Sequence, residues 1–160
     1  DRGRDGALRG RSIFENLVAS LAQKDDIRLI RNSTLWRRVA PTMQRLNLRY
    51  ASERHEIGSL SGGNQQKVIA GRALVTSPRV LLLDEPTKGI DVAAKADLFE
   101  IINELCREGA CVILYSSEDS ELLANADRIA VFNSGQVTAM LEGDRVNEFE
   151  LYSAALRHVA

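Results

Sequence analysis

The run Val80-Leu81-Leu82-Leu83, closed by Asp84-Glu85-Pro86, constrains this chain more than any other. A short, unbroken apolar run bounded by turn chemistry reads as a strand buried on both faces, the kind found in parallel sheets of α/β domains. Pro86 has no N–H to donate and stops the ladder. Asp84 and Glu85 then stand at the mouth of the strand, where paired carboxylates are unfavourable unless they bind a cation or move protons. Asp84 is a candidate Mg²⁺ ligand, because magnesium takes hard oxygen donors. Glu85 is a candidate general base that polarises an attacking water. The plainer alternative is a strand end whose acids are simply solvated.

One helix upstream lies Leu60-Ser61-Gly62-Gly63-Asn64-Gln65-Gln66-Lys67. Ser61 is a helix N-cap, its hydroxyl accepting from an unpaired N–H of the first turn. Gly62 and Gly63 carry no Cβ to hold an anion away from the N–H groups and the positive end of the helix dipole. Val68, Ile69, Ala73 and Leu74 continue an apolar stripe at helical spacing, while Gln65, Gln66, Lys67 and Arg72 are polar. An ordinary capped helix after a glycine turn explains Ser-Gly-Gly by itself; a phosphate contact followed by paired acids explains both segments. No G-x-x-x-x-G-K-[ST] phosphate loop occurs in the chain.

Around these segments the pattern divides in two. Over residues 1–77 helices dominate. Ile13 to Ala22 follows Ser12, with Glu15 as its capping-box partner. Thr34 to Leu46 places Trp36, Val39, Met43 and Leu46 on one face, which makes Trp36 a packed aromatic rather than a base-stacking one. The Ser-Gly-Gly helix runs to about Val75. Over residues 78–160 strands and helices alternate, as in a parallel sheet. A helix from about Val92 to Arg107 ends at Glu108-Gly109, and Ala110 to Tyr115 is the next strand. A short helix spans Glu118 to Ala124. Arg128 to Phe132 and Gln136 to Leu141 flank Asn133-Ser134-Gly135, which has hairpin-turn composition. A final helix covers Glu148 to Val159.

The 160 residues suffice for a sizeable core, and a net charge of −1 leaves no electrostatic footprint for nucleic acid or an anionic membrane. Arg45, Arg49, Arg54 and Lys67 read as a solvated face. No apolar run approaches the roughly 20 residues a bilayer requires. Cys106 and Cys111 lack C-x-x-C spacing and a histidine cluster, so a zinc site is not indicated, and both read as small reduced apolar residues, Cys111 on a buried strand.

Taken together, Leu60 to Gln66 resembles the signature motif of ATP-binding cassette (ABC) ATPases, and Val80 to Glu85 resembles their Walker B strand. Gly89-Ile90-Asp91 is similar to their D-loop. Asn64-Gln65-Gln66-Lys67, with the stretch from Pro86 to Lys95, resembles the sugar importers of the ribose, galactose and xylose type, whose ATPase subunit fuses two cassettes. The match is to the second cassette, running from Asp1 to about Met140. Asp1 to Leu8, with Ser12 to Leu17, fits the stretch after the Q-loop.

The resemblance implies a P-loop NTPase domain of the α/β class. A helical signature subdomain (1–77) precedes the C-terminal part of the ATPase core (78–160), with a parallel sheet and a C-terminal hairpin, and the phosphate-loop portion is missing. It implies ATP and Mg²⁺ as cofactors. In the head-to-tail cassette dimer of that family, Ser61, Gly62, Gly63, Asn64, Gln65 and Asp91 would serve nucleotide held by the other cassette. Asp84, Glu85 and Ser117 would line this cassette's own site. Ser117, after the strand Ala110 to Tyr115, stands where most cassettes carry a switch histidine. A serine hydroxyl donates a hydrogen bond but cannot become an imidazolium cation, which implies a weaker hydrolytic site here and an essential role for the signature in trans. The implied partners are the N-terminal cassette of the same subunit, two membrane permease subunits and, indirectly, a periplasmic sugar-binding protein, at the cytoplasmic face of the bacterial inner membrane. The isolated 160 residues would lack turnover. A DNA-repair or translation ABC ATPase and an inert regulatory module are the alternative readings.

Overall fold

The computed structural model describes residues 6–24 and 32–156. The expectations for Asp1 to Asp5 and for the end of the last helix at Val159 lie outside them. The chain divides into two compact units, one of residues 1–82 with 86–113, the other of residues 83–85 with 114–160.

The first unit begins with α1 (Ile13–Lys24), α2 (Asn32–Arg45) and α3 (Gly62–Leu74). The capping box of α1 is reciprocal: the Glu15 N–H donates to Ser12 Oγ at 3.1 Å, and the Ser12 N–H donates to Glu15 Oε2 at 2.8 Å. Trp36 touches Phe14 with ring centroids 5.8 Å apart but is 37% exposed, so it is covered in part and does not join the buried face of Val39, Met43 and Leu46 as anticipated. The interior of this helical layer is mostly apolar, with Ile13, Leu17, Leu21, Val39, Leu46 and Val68 fully buried. Gly71 leaves room there: a Cβ on it would fall 2.4 Å from Leu46 Cδ1 and 2.8 Å from Leu17 Cδ2, so both leucine side chains would have to shift. The buried face of α3 consists of Gly63, Lys67, Val68, Gly71 and Leu74. It is thus rotated from the expected Val68–Ile69–Ala73–Leu74 stripe toward the glycines, where backbone approaches closely.

Helix α4 (Val92–Arg107) packs on α3 and ends as its sequence predicts, with Glu108 as C-cap and Gly109 at φ +95°. Two strands, β1 (Val80–Asp84) and β2 (Cys111–Tyr115), form a pair. The Cys111 N–H donates to Arg79 O, and the Glu85 N–H donates to Tyr115 O, so the strands run parallel. The expectation of a strand buried on both faces is not met. Leu81 is buried, but Val80 is 58% and Leu82 71% exposed, and Ile113 and Tyr115 are exposed likewise on β2. Among the described residues this sheet has two strands, and alternation along each puts one face in contact and leaves the other open. Cys111 lies on the open face, so it is not on the buried strand anticipated, and Cys106 is exposed too.

The second unit contains α5 (Asp119–Asn125), the hairpin strands β3 (Arg128–Asn133) and β4 (Gln136–Glu142), and α6 (Glu148–Leu156). The strands pair antiparallel, with an irregularity between Val131 and Phe132. Ser134 and Gly135 both have positive φ (50° and 81°), the sign pattern that a two-residue hairpin loop matched to strand twist requires. Ile129, Val131, Leu141, Leu151 and Ala154 form this unit's core.

Candidate functional site

The candidate residues gather in two places. In the first unit, Ser61 caps α3 as anticipated. Its Oγ accepts from the Asn64 N–H at 3.4 Å and from Asn64 Nδ2 at 3.0 Å. With both lone pairs of the hydroxyl engaged, its proton remains to be donated, which suits an anionic oxygen. Gln65 is tied back to its own chain, Nε2 donating to Leu60 O at 2.8 Å. Gly62 is exposed at the helix start. Gly63 is not: a Cβ there would meet Ala94 Cβ at 2.7 Å and Asp91 Oδ2 at 3.5 Å. Its lack of a side chain is accounted for by the approach of α4, so the reading of both glycines as space for an anion applies to Gly62 alone. Asp91 caps α4, its Oδ1 accepting from the Ala94 N–H at 2.9 Å.

Lys67 corrects the expectation of a solvated cation. It is only 5% exposed, and its Nζ donates to Asp97 Oδ2 on α4 at 2.6 Å. Arg45 is also committed, pairing with Glu104 and Glu108. The sequence signal for Lys67 was its place four residues after Gly63 and four before Gly71, on the face where α3 approaches its neighbours most closely.

In the second unit stand Asp84, Glu85 and Ser117. Asp84 is an exposed carboxylate at the end of β1. Glu85 adopts φ +48°, a left-handed conformation that a non-glycine residue pays strain to hold and that is further disfavoured before proline. Its N–H donates to Tyr115 O at 2.9 Å, and its Oε1 accepts from the Ser117 N–H at 3.0 Å. The turn that presents Ser117 is braced from beneath. Ser116 Oγ donates to the buried Glu121 Oε2 at 2.7 Å and accepts from the Glu118 N–H at 3.0 Å. Among the described residues no three His, Cys, Asp or Glu side chains group to hold a metal ion. A lone exposed carboxylate nonetheless fits magnesium, which keeps waters and takes its remaining ligands from phosphate oxygens.

Sequence reasoning passed over Asn16, which is fully buried. Its Oδ1 accepts from the Leu8 N–H at 2.8 Å and from the Arg72 guanidinium at 2.7 Å, and its Nδ2 donates to Leu8 O and Ser12 O. Arg72 Nε also donates to Asn16 O at 3.0 Å. Burial pulls the Arg72 pKa below its ordinary value by desolvating the charge. A polar residue between Ile13 and Leu17 on the apolar stripe of α1 was the available signal.

The sequence model of the ABC transporter family matches residues 5–88. The chain belongs to the ABC transporter family. It is 40% identical to the ribose import ATP-binding protein RbsA of Geobacillus kaustophilus over 156 residues, which is 97% of this chain and 32% of that protein. It is 39% identical to the galactose/methyl galactoside import ATP-binding protein MglA of Escherichia coli over 147 residues, or 91% of this chain and 29% of that one. The chain therefore spans about a third of the length of the curated relatives it matches. In fold it is similar to the ATP-binding cassette MJ0796, solved as a dimer in a post-hydrolysis state bound to ADP and Pi. The TM-score is 0.71 at 21% identity, with 85% of this chain and 58% of that one covered. The α/β fold of this ABC chain is thus that of an ABC ATPase cassette, present in part. No helix among its described residues is long and apolar enough to cross a membrane.

Proposed function

We propose that these residues are part of the ATP-binding subunit of a sugar importer, and that the whole protein couples ATP binding and hydrolysis to monosaccharide uptake. The observation that carries this reading is the 40% identity to a ribose import ATP-binding protein across 97% of the chain. The functional division is the one drawn from sequence, a helical signature part over 1–77 and a part of the ATPase core over 78–160.

Ser61, Gly62, Gly63, Asn64 and Gln65 form the signature that serves nucleotide bound to the N-terminal cassette of the same subunit. The free hydroxyl proton of Ser61 and the exposed start of α3 suit them to that anion. Asp91 belongs to the loop at the same cassette interface. On the second side, Asp84 would hold Mg²⁺ and Glu85 would accept the proton of the attacking water. Ser117 orients Glu85 through its N–H and has its own hydroxyl to offer a phosphate oxygen. Bound ATP and Mg²⁺ would supply the transferable γ-phosphoryl group and neutralise its charge. The helical part docks permease subunits fed by a periplasmic sugar-binding protein, at the cytoplasmic face of the inner membrane. The 160 residues alone, without a G-x-x-x-x-G-K-[ST] loop, turn over no ATP.

The experiment compares wild type, Ser61→Arg and Glu85→Gln in the complete subunit with its permease in proteoliposomes, reading ATP hydrolysis and sugar uptake. Loss of both activities in Ser61→Arg with substantial turnover in Glu85→Gln supports a signature acting in trans beside an auxiliary site. Equal damage in the two variants makes both sites hydrolytic and overturns the auxiliary assignment of Ser117. Wild-type hydrolysis without uptake of any monosaccharide overturns the importer reading.

A further inference from the structure

Helices α3 and α4 start at the two caps, Ser61 and Asp91, that the proposed function assigns to the cassette interface. Two contacts fix how these helices lie against each other. At the first turn, Gly63 admits Ala94 so closely that a Cβ on the glycine would lie 2.7 Å from the alanine Cβ. One turn further along each helix, the buried Lys67 Nζ meets Asp97 Oδ2 at 2.6 Å. The first contact is apolar and small, so it sets distance but resists sliding weakly. The second is directional and charge-assisted, and it resists sliding along the helix axes. The pair is also asymmetric. The lysine is withdrawn from water, while 48% of the Asp97 side chain remains exposed.

That asymmetry argues against a role in stability alone. Withdrawing an ammonium from water is unfavourable, and a half-solvated partner returns little of the loss, so an apolar side chain of lysine's length would serve the fold as well. What such a side chain would not supply is register.

We infer that Lys67 and Asp97 are positioning residues, a strut that with the Gly63–Ala94 contact holds the Ser61 and Asp91 helix starts at one fixed spacing. This inference rests on the proposed function for the meaning of that spacing, though not for the existence of the strut. Neither residue stands at a helix start itself; they act through Ser61 and Asp91.

The test uses Lys67→Met, Asp97→Asn and the exchanged pair Lys67→Asp/Asp97→Lys. Asp97→Asn changes only a half-exposed side chain and keeps the experiment decisive if Lys67→Met folds poorly. Amide hydrogen exchange in the chain reads the strut directly at the Gln65 N–H, which donates to Ser61 O, and the Lys95 N–H, which donates to Asp91 O. The expected result is about tenfold faster exchange at both amides in each single variant, with the melting temperature unchanged in Lys67→Met and lowered in Asp97→Asn, which leaves the buried ammonium without its counter-charge. In the complete subunit kcat should fall about tenfold while KM stays within about twofold, since misplacement weakens the closed arrangement more than nucleotide binding. The exchanged pair should recover both readouts in part. Wild-type exchange at both amides in Asp97→Asn overturns the strut. So does an equal effect from Ile101→Val, a core change on α4 away from the pair. A wild-type subunit that hydrolyses no ATP overturns the proposed function instead and leaves the exchange result to decide the strut.

Discussion

Glu85 Oε1 accepts a hydrogen bond from the backbone N–H of Ser117 at 3.0 Å, while Glu85 itself is held at φ +48° directly before Pro86. The carboxylate is therefore aimed by two backbone devices, a strained turn and an amide that any residue at 117 except proline supplies. Left-handed backbone in a non-glycine residue costs on the order of 1 kcal/mol, and strain of this kind concentrates at functional sites. Glu85→Gly should raise the stability of the chain by about 1 kcal/mol in urea unfolding, since glycine adopts positive φ freely. Glu85→Gln keeps the conformation and should leave stability unchanged. If Glu85→Gly is destabilised while Glu85→Gln is not, the hydrogen bond to Ser117 outweighs the strain and the turn is not under load.

The approach of α3 to α4 gives a second expectation. Gly63→Ala places a Cβ 2.7 Å from Ala94 Cβ, a distance at which backbone must move. Overpacking of this kind costs about 1–3 kcal/mol. Ala94→Gly in the same chain removes the obstructing atom, so the double variant should recover most of the stability that Gly63→Ala loses. Additive losses in urea unfolding would show that the glycine is needed for another reason.

Local signals made much of this fold legible. Ser12 with Glu15, Glu108-Gly109 and Asn133-Ser134-Gly135 each specify a cap or turn through hydrogen bonds within a few residues, and each element begins or ends where those residues predict. Side-chain surroundings were less legible, because they depend on partners distant in sequence. Lys67 reads as solvated until Asp97, 30 residues on, is brought beside it. Val80 and Leu82 read as buried from their composition, yet burial of a strand face depends on what is laid over it. For the candidate site, the helix and strand starts were recognisable from residue type. The left-handed turn at Glu85 was not, since glutamate carries no preference for positive φ.

The capping box of α1 titrates. The Ser12 backbone N–H, followed by the Ser12 side chain, holds the Glu15 pKa below its ordinary value by hydrogen bonding to the charged form. A folded-state value below the unfolded one contributes stability that is present above the ordinary glutamate range and lost as pH falls through the lowered value. Thermal unfolding followed from neutral pH to about pH 3 should therefore show a steeper acid loss in wild type than in Glu15→Gln. Ser12→Ala removes the hydroxyl cap and should cost about 1 kcal/mol at neutral pH. Parallel curves for wild type and Glu15→Gln would mean that the box stabilises α1 independently of charge.

Asn16 joins three segments at one buried point: the stretch around Leu8, its own helix α1, and Arg72 of α3. Both ends of the amide are used, so replacement by an apolar residue of similar volume leaves groups unpaired on each side. Asn16→Leu orphans the Leu8 N–H and removes one acceptor from a partly desolvated guanidinium, and should cost about 3 kcal/mol. Asn16→Asp keeps the acceptor toward Leu8 and Arg72 and adds charge opposite the guanidinium, but turns an oxygen toward Leu8 O and Ser12 O. Its loss should be smaller, about 1–2 kcal/mol at neutral pH. Urea unfolding ranks the two variants, and amide exchange at Leu8 locates the effect, rising in Asn16→Leu and staying protected in Asn16→Asp. Equal losses with equal exchange would mean that the Nδ2 donors toward Leu8 O and Ser12 O, and not the bond to Arg72, hold the segment in place.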